Sequence, residues 1–304
     1  MIVTELYNGQ GLGNQLWCYF VTRIIAESNG YDFGVMSTHK FKAKDFMEID
    51  FGLEVIGGDG PEGGPPTSLP NGIDNYYKEK LIRHQNSLLD ISPIDPDLVR
   101  IPDNSKVDGV MQSYYYVNNY RDKILGWIRI KEDKKIYDYS DDNICVIHIR
   151  GGDFRHTQAM LGSEYYRNAM NYFRGINPNM VFYIVTDDVN YSESILPGIE
   201  FIGSIKTGES DPNKGEHHLG GPIWMDYSIL NNAKNVIMSA SSFGWWPVWT
   251  NPNNPIVVAP KYWAAYRQNS GYWSCGESFV EGWNFMNING EIFSYDDCIN
   301  EITR

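Results

Sequence analysis

His148 and Arg150 bring polar chemistry to the end of an otherwise apolar run. Ile144 to Ile149 reads as a strand. Alternate strand residues share a face, so Ile144, Val146, His148 and Arg150 point one way and Cys145, Ile147 and Ile149 the other. Gly151 and Gly152 follow, where a backbone can come close, and then Asp153. An imidazole, a guanidinium and a carboxylate at the carboxyl edge of an open α/β sheet suit an anionic ligand. The plainer use of Arg150 is an ion pair with Asp153.

Three other segments carry comparable signals. Val185-Thr186-Asp187-Asp188 puts carboxylates at a second strand end, where Asp188 equally suits a helix cap. In Met238-Ser239-Ala240-Ser241-Ser242-Phe243, small hydroxyl residues precede a helix whose free N–H groups and positive dipole end suit a phosphate, the alternative being ordinary serine capping. Gly11-Leu12-Gly13-Asn14-Gln15 also lies between a strand and a helix, but Gly9, Gly11 and Gly13 are spaced by two and no suitably placed acid follows. A nicotinamide cofactor is therefore disfavoured.

The elements that must position these residues follow from periodicity. Ile2 to Leu6 reads as a strand, and Leu16, Phe20 and Ile24 with Trp17, Val21 and Ile25 fall at helical spacing. Gly57 to Pro66 reads as a loop, and 67–105 is too irregular to assign. Past Ile144 the pattern alternates. Strands are expected at 144–149, 181–185, 199–202, 236–238 and 256–259, and helices at 165–173, 223–230 and 243–249. Gly203 to Pro222 forms a long polar connection. The fold expected is α/β with two Rossmann-like lobes and a cleft between them, divided as 1–125 and 126–304, because 304 residues exceed one usual core.

A net charge of −13 argues against nucleic acid or an anionic membrane as partner, so any phosphate must meet a local positive site. Nine Trp and 21 Tyr offer faces for stacking on sugar rings, with most of them expected in the core. Cys18, Cys145, Cys275 and Cys298 have neither CxxC spacing nor scaffold density and read as reduced. With no apolar stretch of about 18 residues and no leader, the expected location is the cytoplasm.

Taken in order, these blocks resemble the α-1,2-fucosyltransferase family, related more widely to α-1,6- and protein O-fucosyltransferases. Gly11 to Leu16 resembles the family's amino-terminal GLGNQ block, and Val107 to Ser113 its mid-chain aromatic-Gln-Ser segment. His148-Ile149-Arg150-Gly151-Gly152-Asp153-Phe154 is similar to its HxRRGD signature with a following aromatic residue. Tyr165 to Met170, Phe182 to Asp188, Ser239 to Trp246 and Val257 to Trp263 match further blocks. Gly151 departs from the pattern, standing where the family has its second arginine, with Arg155 and Lys206 as candidate replacements. Gly244 replaces a usual serine.

The resemblance implies a GT-B-like fold and an inverting transfer of L-fucose from GDP-fucose to a hydroxyl of a galactose-type glycan. No metal or other cofactor is implied, and GDP-fucose enters as donor substrate. Residues 1–125 would form the acceptor-side lobe and 126–304 the donor lobe. Arg150 would meet the β-phosphate, with Ser241, Ser242 and Phe243 giving further donors, and His148 and Asp187 would hold the nucleotide or orient Arg150. Gly11, Gly13 and Asn14 would approach the donor from the first lobe. The proton acceptor stays open among Asp153, Asp187 and His148. Asp95-Pro96-Asp97 has DxD spacing, yet Asp followed by Pro reads as a helix cap. Glu216-His217-His218 has no spaced partner for a metal. Two rival readings are a donor with another nucleotide-activated hexose and a catalytically idle nucleotide-sugar-binding protein.

Overall fold

The apolar runs starting at Ile2 and Ile144 each found a parallel sheet, and each sheet belongs to its own unit of the chain. A computed structural model describes residues 1–57, 68–83, 90–157, 159–207, 222–263 and 278–302. One unit comprises Met1–Ile82 with Asp90–Arg129, and the other is built on Ile130–Arg304.

The first unit includes β1 (Ile2–Glu5), α1 (Leu12–Asn29), β2 (Phe33–Met36), β3 (Asn75–Lys78), α2 (Pro96–Val99) and β4 (Ser105–Asp108). The strands pair in the order β2-β1-β4-β3, all parallel. Strand β3 lies within the stretch that periodicity leaves unassigned and β4 begins at its last residue, and β4 displays what breaks the pattern. Its Lys106 is fully buried, with Nζ 2.6 Å from Glu5 Oε2 on β1, so a residue that pattern rules send to solvent lies in the sheet. Asp95 caps α2 as its sequence context predicts, accepting from the Asp97 and Leu98 N–H groups with Pro96 at the first helical position. Its other oxygen accepts from Tyr77 Oη at 2.8 Å and Lys80 N at 3.0 Å.

The second unit holds β5 (Ile144–Ile149), α3 (Ser163–Ile176), β6 (Val181–Thr186), α4 (Val189–Ile195), β7 (Glu200–Phe201), α5 (Ile223–Asn232), β8 (Asn235–Ile237), α6 (Ser242–Trp249), β9 (Ile256–Pro260), β10 (Asn284–Met286) and β11 (Ile292–Phe293). Its sheet runs β7-β6-β5-β8-β9-β10-β11, parallel except for the last pair. Counted by appearance the first six strands lie in the order 3-2-1-4-5-6, the doubly wound order of a Rossmann sheet, whose direction of winding reverses between β5 and β8. The face of β5 carrying Cys145, Ile147 and Ile149 packs on Leu161 and on Tyr165, Tyr166, Ala169 and Phe173 of α3. His148 is left on the opposite face, as strand alternation requires.

Aromatic mass goes chiefly to the core. Trp245, Trp246, Trp249 and Trp283 are buried, with Trp245 ring centroids 4.9, 5.0 and 6.1 Å from the other three. Cys18, Cys145 and Cys298 are free and buried, while Cys275 and Glu216-His217-His218 lie outside the described residues. So does most of the 203–222 connection. Among the described residues no helix is long and apolar enough to cross a membrane.

Tyr165 fastens α3 to the edge that matters. Its hydroxyl lies 2.7 Å from the Met238 carbonyl at the end of β8 and 3.2 Å from that of Val258. Replacing Tyr165 by Phe strands a buried carbonyl, and urea unfolding of Tyr165→Phe should record a loss of about 1–3 kcal/mol.

Candidate active site

The carboxyl ends of β6, β5 and β8 lie side by side, and the chemistry anticipated from the sequence collects there. Arg150 leaves β5 with its guanidinium between two carboxylates. Nη1 donates to Asp187 Oδ2 in a short contact, and Nη2 donates to Asp153 Oδ1 at 2.5 Å. The simple Arg150–Asp153 pair is thus real, but only half of the arrangement. Asp187 is also held by the Gly151 N–H at 2.8 Å.

Its neighbour Asp188 repeats the pattern one residue on. It accepts from Gly152 N at 3.1 Å, from Tyr191 N at 3.0 Å as the cap of α4, and from Nε and Nη2 of Arg155. Burial pushes the Asp188 carboxyl up, but the Arg155 and backbone hydrogen bonds outweigh it and hold the group below its ordinary range. Both functions suggested for Asp188, cap and site residue, are compatible with this geometry.

Across the switch point, Ser239 at the end of β8 bonds to His148 Nδ1 at 2.9 Å. His148 is buried, and burial first and the Arg150 charge second lower its pKa to about 3. At neutral pH it is an uncharged hydrogen-bonding group, too weak a base to take an acceptor's proton efficiently. Of the two carboxylates, Asp187 has both oxygens engaged by Arg150 and Gly151, whereas the Asp153 side chain is 63% exposed.

Ser241 is the N-cap residue of α6, yet its hydroxyl makes no capping bond, and no acidic residue occupies the first turn. Serine capping, the ordinary reading of this segment, is therefore not what the structure displays. Phe243 sits with its ring 6.2 Å from that of His148. A Cβ on Gly244 would come 2.7 Å from His148 Nδ1, so glycine here makes room for the imidazole. Gly151 has a similar reason: a Cβ there would fall 2.4 Å from Asp188 Cβ.

His148, Arg150, Asp153, Asp187, Ser241, Ser242 and Phe243 thus come from three neighbouring strand ends of one unit. Gly11, Gly13 and Asn14 belong to the other unit, where Gly11 precedes α1 and the Asn14 amide oxygen accepts from Gln112 Nε2 at 2.8 Å. Lys206 pairs with Glu200 beside the edge strand β7, whereas Arg155 joins Asp188. Sequence reasoning overlooked Ser239 as the partner of His148. Its signal was slight, a single hydroxyl residue beyond a three-residue strand.

The family model described as glycosyl transferase family 11 matches residues 107–287. Two curated proteins of Escherichia coli are similar. The O-antigen biosynthesis glycosyltransferase WbnK is 24% identical over 51% of this chain and 53% of its own length, and an alpha-1,2-colitosyltransferase is 26% identical over 57% and 60%. The match thus spans a little over half the length of each relative. Among solved structures, NodZ alpha-1,6-fucosyltransferase soaked with GDP-fucose aligns over 83% of this chain and 92% of its own, at 13% identity and a TM-score of 0.47. The same enzyme co-crystallized with GDP gives 14% and 0.43.

The buried His148 has a consequence for acid stability. Its pKa is near 6.5 unfolded and about 3 folded, so between those values the unfolded chain binds the extra proton. Its contribution is complete above pH 6.5 and declines as pH falls toward 3, by at most about 1.4 kcal/mol per pH unit. Urea unfolding between pH 7 and 4.5 should give His148→Asn a shallower loss of stability than the parent. Equal slopes would contradict the burial argument.

Proposed function

The chain belongs to glycosyl transferase family 11, and from that premise we propose that it is an inverting glycosyltransferase carrying L-fucose from GDP-fucose to a hydroxyl of a galactose-type glycan in α-1,2 linkage. In this reading the two units are the lobes of a GT-B-like enzyme, with the donor bound by Ile130–Arg304. One observation carries it. Arg150 leaves the first strand of a doubly wound sheet at its switch point, beside a strand whose following helix, α6, has an N-cap serine that makes no side-chain capping bond.

Transfer breaks the bond between the sugar's anomeric carbon and the diphosphate oxygen, and the electron pair leaves with the nucleotide. Arg150 and the N–H groups around Ser241, Ser242 and Phe243 would stabilise that growing charge without a metal. As the anomeric carbon gains oxocarbenium character, the acceptor hydroxyl attacks from the opposite side and gives up its proton. Asp153 is the stronger candidate to receive it, being exposed and bound to Arg150 through only one oxygen. Asp187 would keep Arg150 aimed, and neutral His148, fixed by Ser239, would offer its ring to the donor without a competing charge. The free, buried thiols of Cys18, Cys145 and Cys298 accord with work in a reducing cytoplasm.

A second donor has a specific observation in its favour, since one relative is a colitosyltransferase. Incubation with GDP-fucose or GDP-colitose and a panel of galactose-terminated glycans, followed by mass and linkage analysis, separates the two readings. Arg150→Ala should lower kcat/KM by about 100-fold or more in protein that still melts cooperatively, at a reduced melting temperature because Asp187 loses its cation, and undiminished turnover would defeat the assignment. Activity should persist in EDTA; its loss and restoration by Mn²⁺ or Mg²⁺ would overturn the metal-independent mechanism.

A further inference from the structure

The two consecutive aspartates after β6 are bound in parallel. Asp187 takes the Gly151 N–H and Arg150, and Asp188 takes the Gly152 N–H and Arg155. The second guanidinium is not the sole donor to Asp188, because Gly152 N and Tyr191 N also reach its oxygens. Nor is it buried in the manner of a purely structural arginine, because its side chain is 44% exposed. Arg155 spends Nε and Nη2 on Asp188, and its Nη1 makes no hydrogen bond among the described residues.

Gly151 explains why the second cation arrives from four residues downstream. A side chain at 151 would begin 2.4 Å from Asp188 Cβ and 2.8 Å from Asp188 Oδ2, so any substituent there and the present Asp188–Arg155 pair exclude each other. The nearest alternative discussed above, Lys206, is engaged with Glu200 beside the sheet's edge strand. We propose that Arg155 is the second cation of the donor's diphosphate site, held ready by Asp188 in the room that Gly151 leaves. This rests on the donor reading given above. It adds a residue that binds phosphate directly, and it makes Gly151 and Arg155 two parts of one solution.

Calorimetric titration of the full chain with GDP and with guanosine tests the assignment. Arg155→Ala should weaken GDP by about 10- to 100-fold, the value of one or two charged hydrogen bonds, and leave guanosine affinity unchanged. Arg155→Lys should fall between. If Arg155→Ala fails to fold, Arg155→Gln, which keeps hydrogen bonding to Asp188 without the charge, carries the comparison. A variant that keeps the parent's preference for GDP over guanosine, or that weakens both ligands equally, overturns the proposal and leaves the donor reading intact. Failure of the parent protein to bind GDP at all sinks the donor reading, and this inference with it.

Discussion

Everything at the candidate site depends on the carboxylate of Asp187, which ties the end of β6 to the end of β5 through the Gly151 N–H and the Arg150 guanidinium. The side chain of Asp187 is only 14% exposed, so its charge is poorly hydrated and must be matched by protein donors. A neighbouring backbone N–H and a forked guanidinium meet that demand with fixed geometry. Arg150 is consequently oriented before any ligand arrives, which is the condition for electrostatic stabilisation without reorganisation.

The sheet decides which groups can share this edge. Because β5 is the first strand laid down and lies between β6 and β8, its end is flanked by the loops of strands wound in opposite directions. One loop supplies Asp187 and Asp188, and the other supplies Ser239 and the start of α6. The Ser239–His148 bond closes the gap between them and sets the imidazole's orientation. Gly244 and Gly151 lie where side chains would intrude on His148 and Asp188 respectively. The two glycines are thus part of the packing that lets charged and neutral polar groups sit at van der Waals distance.

Much of the second unit was legible in the sequence because its strands are short apolar runs bounded by polar ends, and its helices keep their spacing. Alternation along Ile144–Ile149 was enough to place His148 opposite the face that packs on α3. The first unit was readable only at β1 and α1. In β3 and β4, Lys78, Lys106 and Asp108 break the apolar pattern, and the Lys106–Glu5 pair that permits burial joins residues far apart in the chain. The candidate site divided along the same line. Residue types at strand ends were visible, whereas the Asp188–Arg155 contact and the His148–Ser239 bond are made only when separate loops meet.

The overall charge of −13 opposes an anionic ligand, and three carboxylates stand at this rim with two guanidinium groups. Their unequal burial resolves the conflict. Asp187 and Asp188 are sheltered and serve as fixed counter-charges that keep the arginines aimed. Asp153 is mostly in water, where an ion pair contributes about 0–1 kcal/mol. Under the proposed function, a diphosphate approaching Arg150 would have to displace only the weakly held partner.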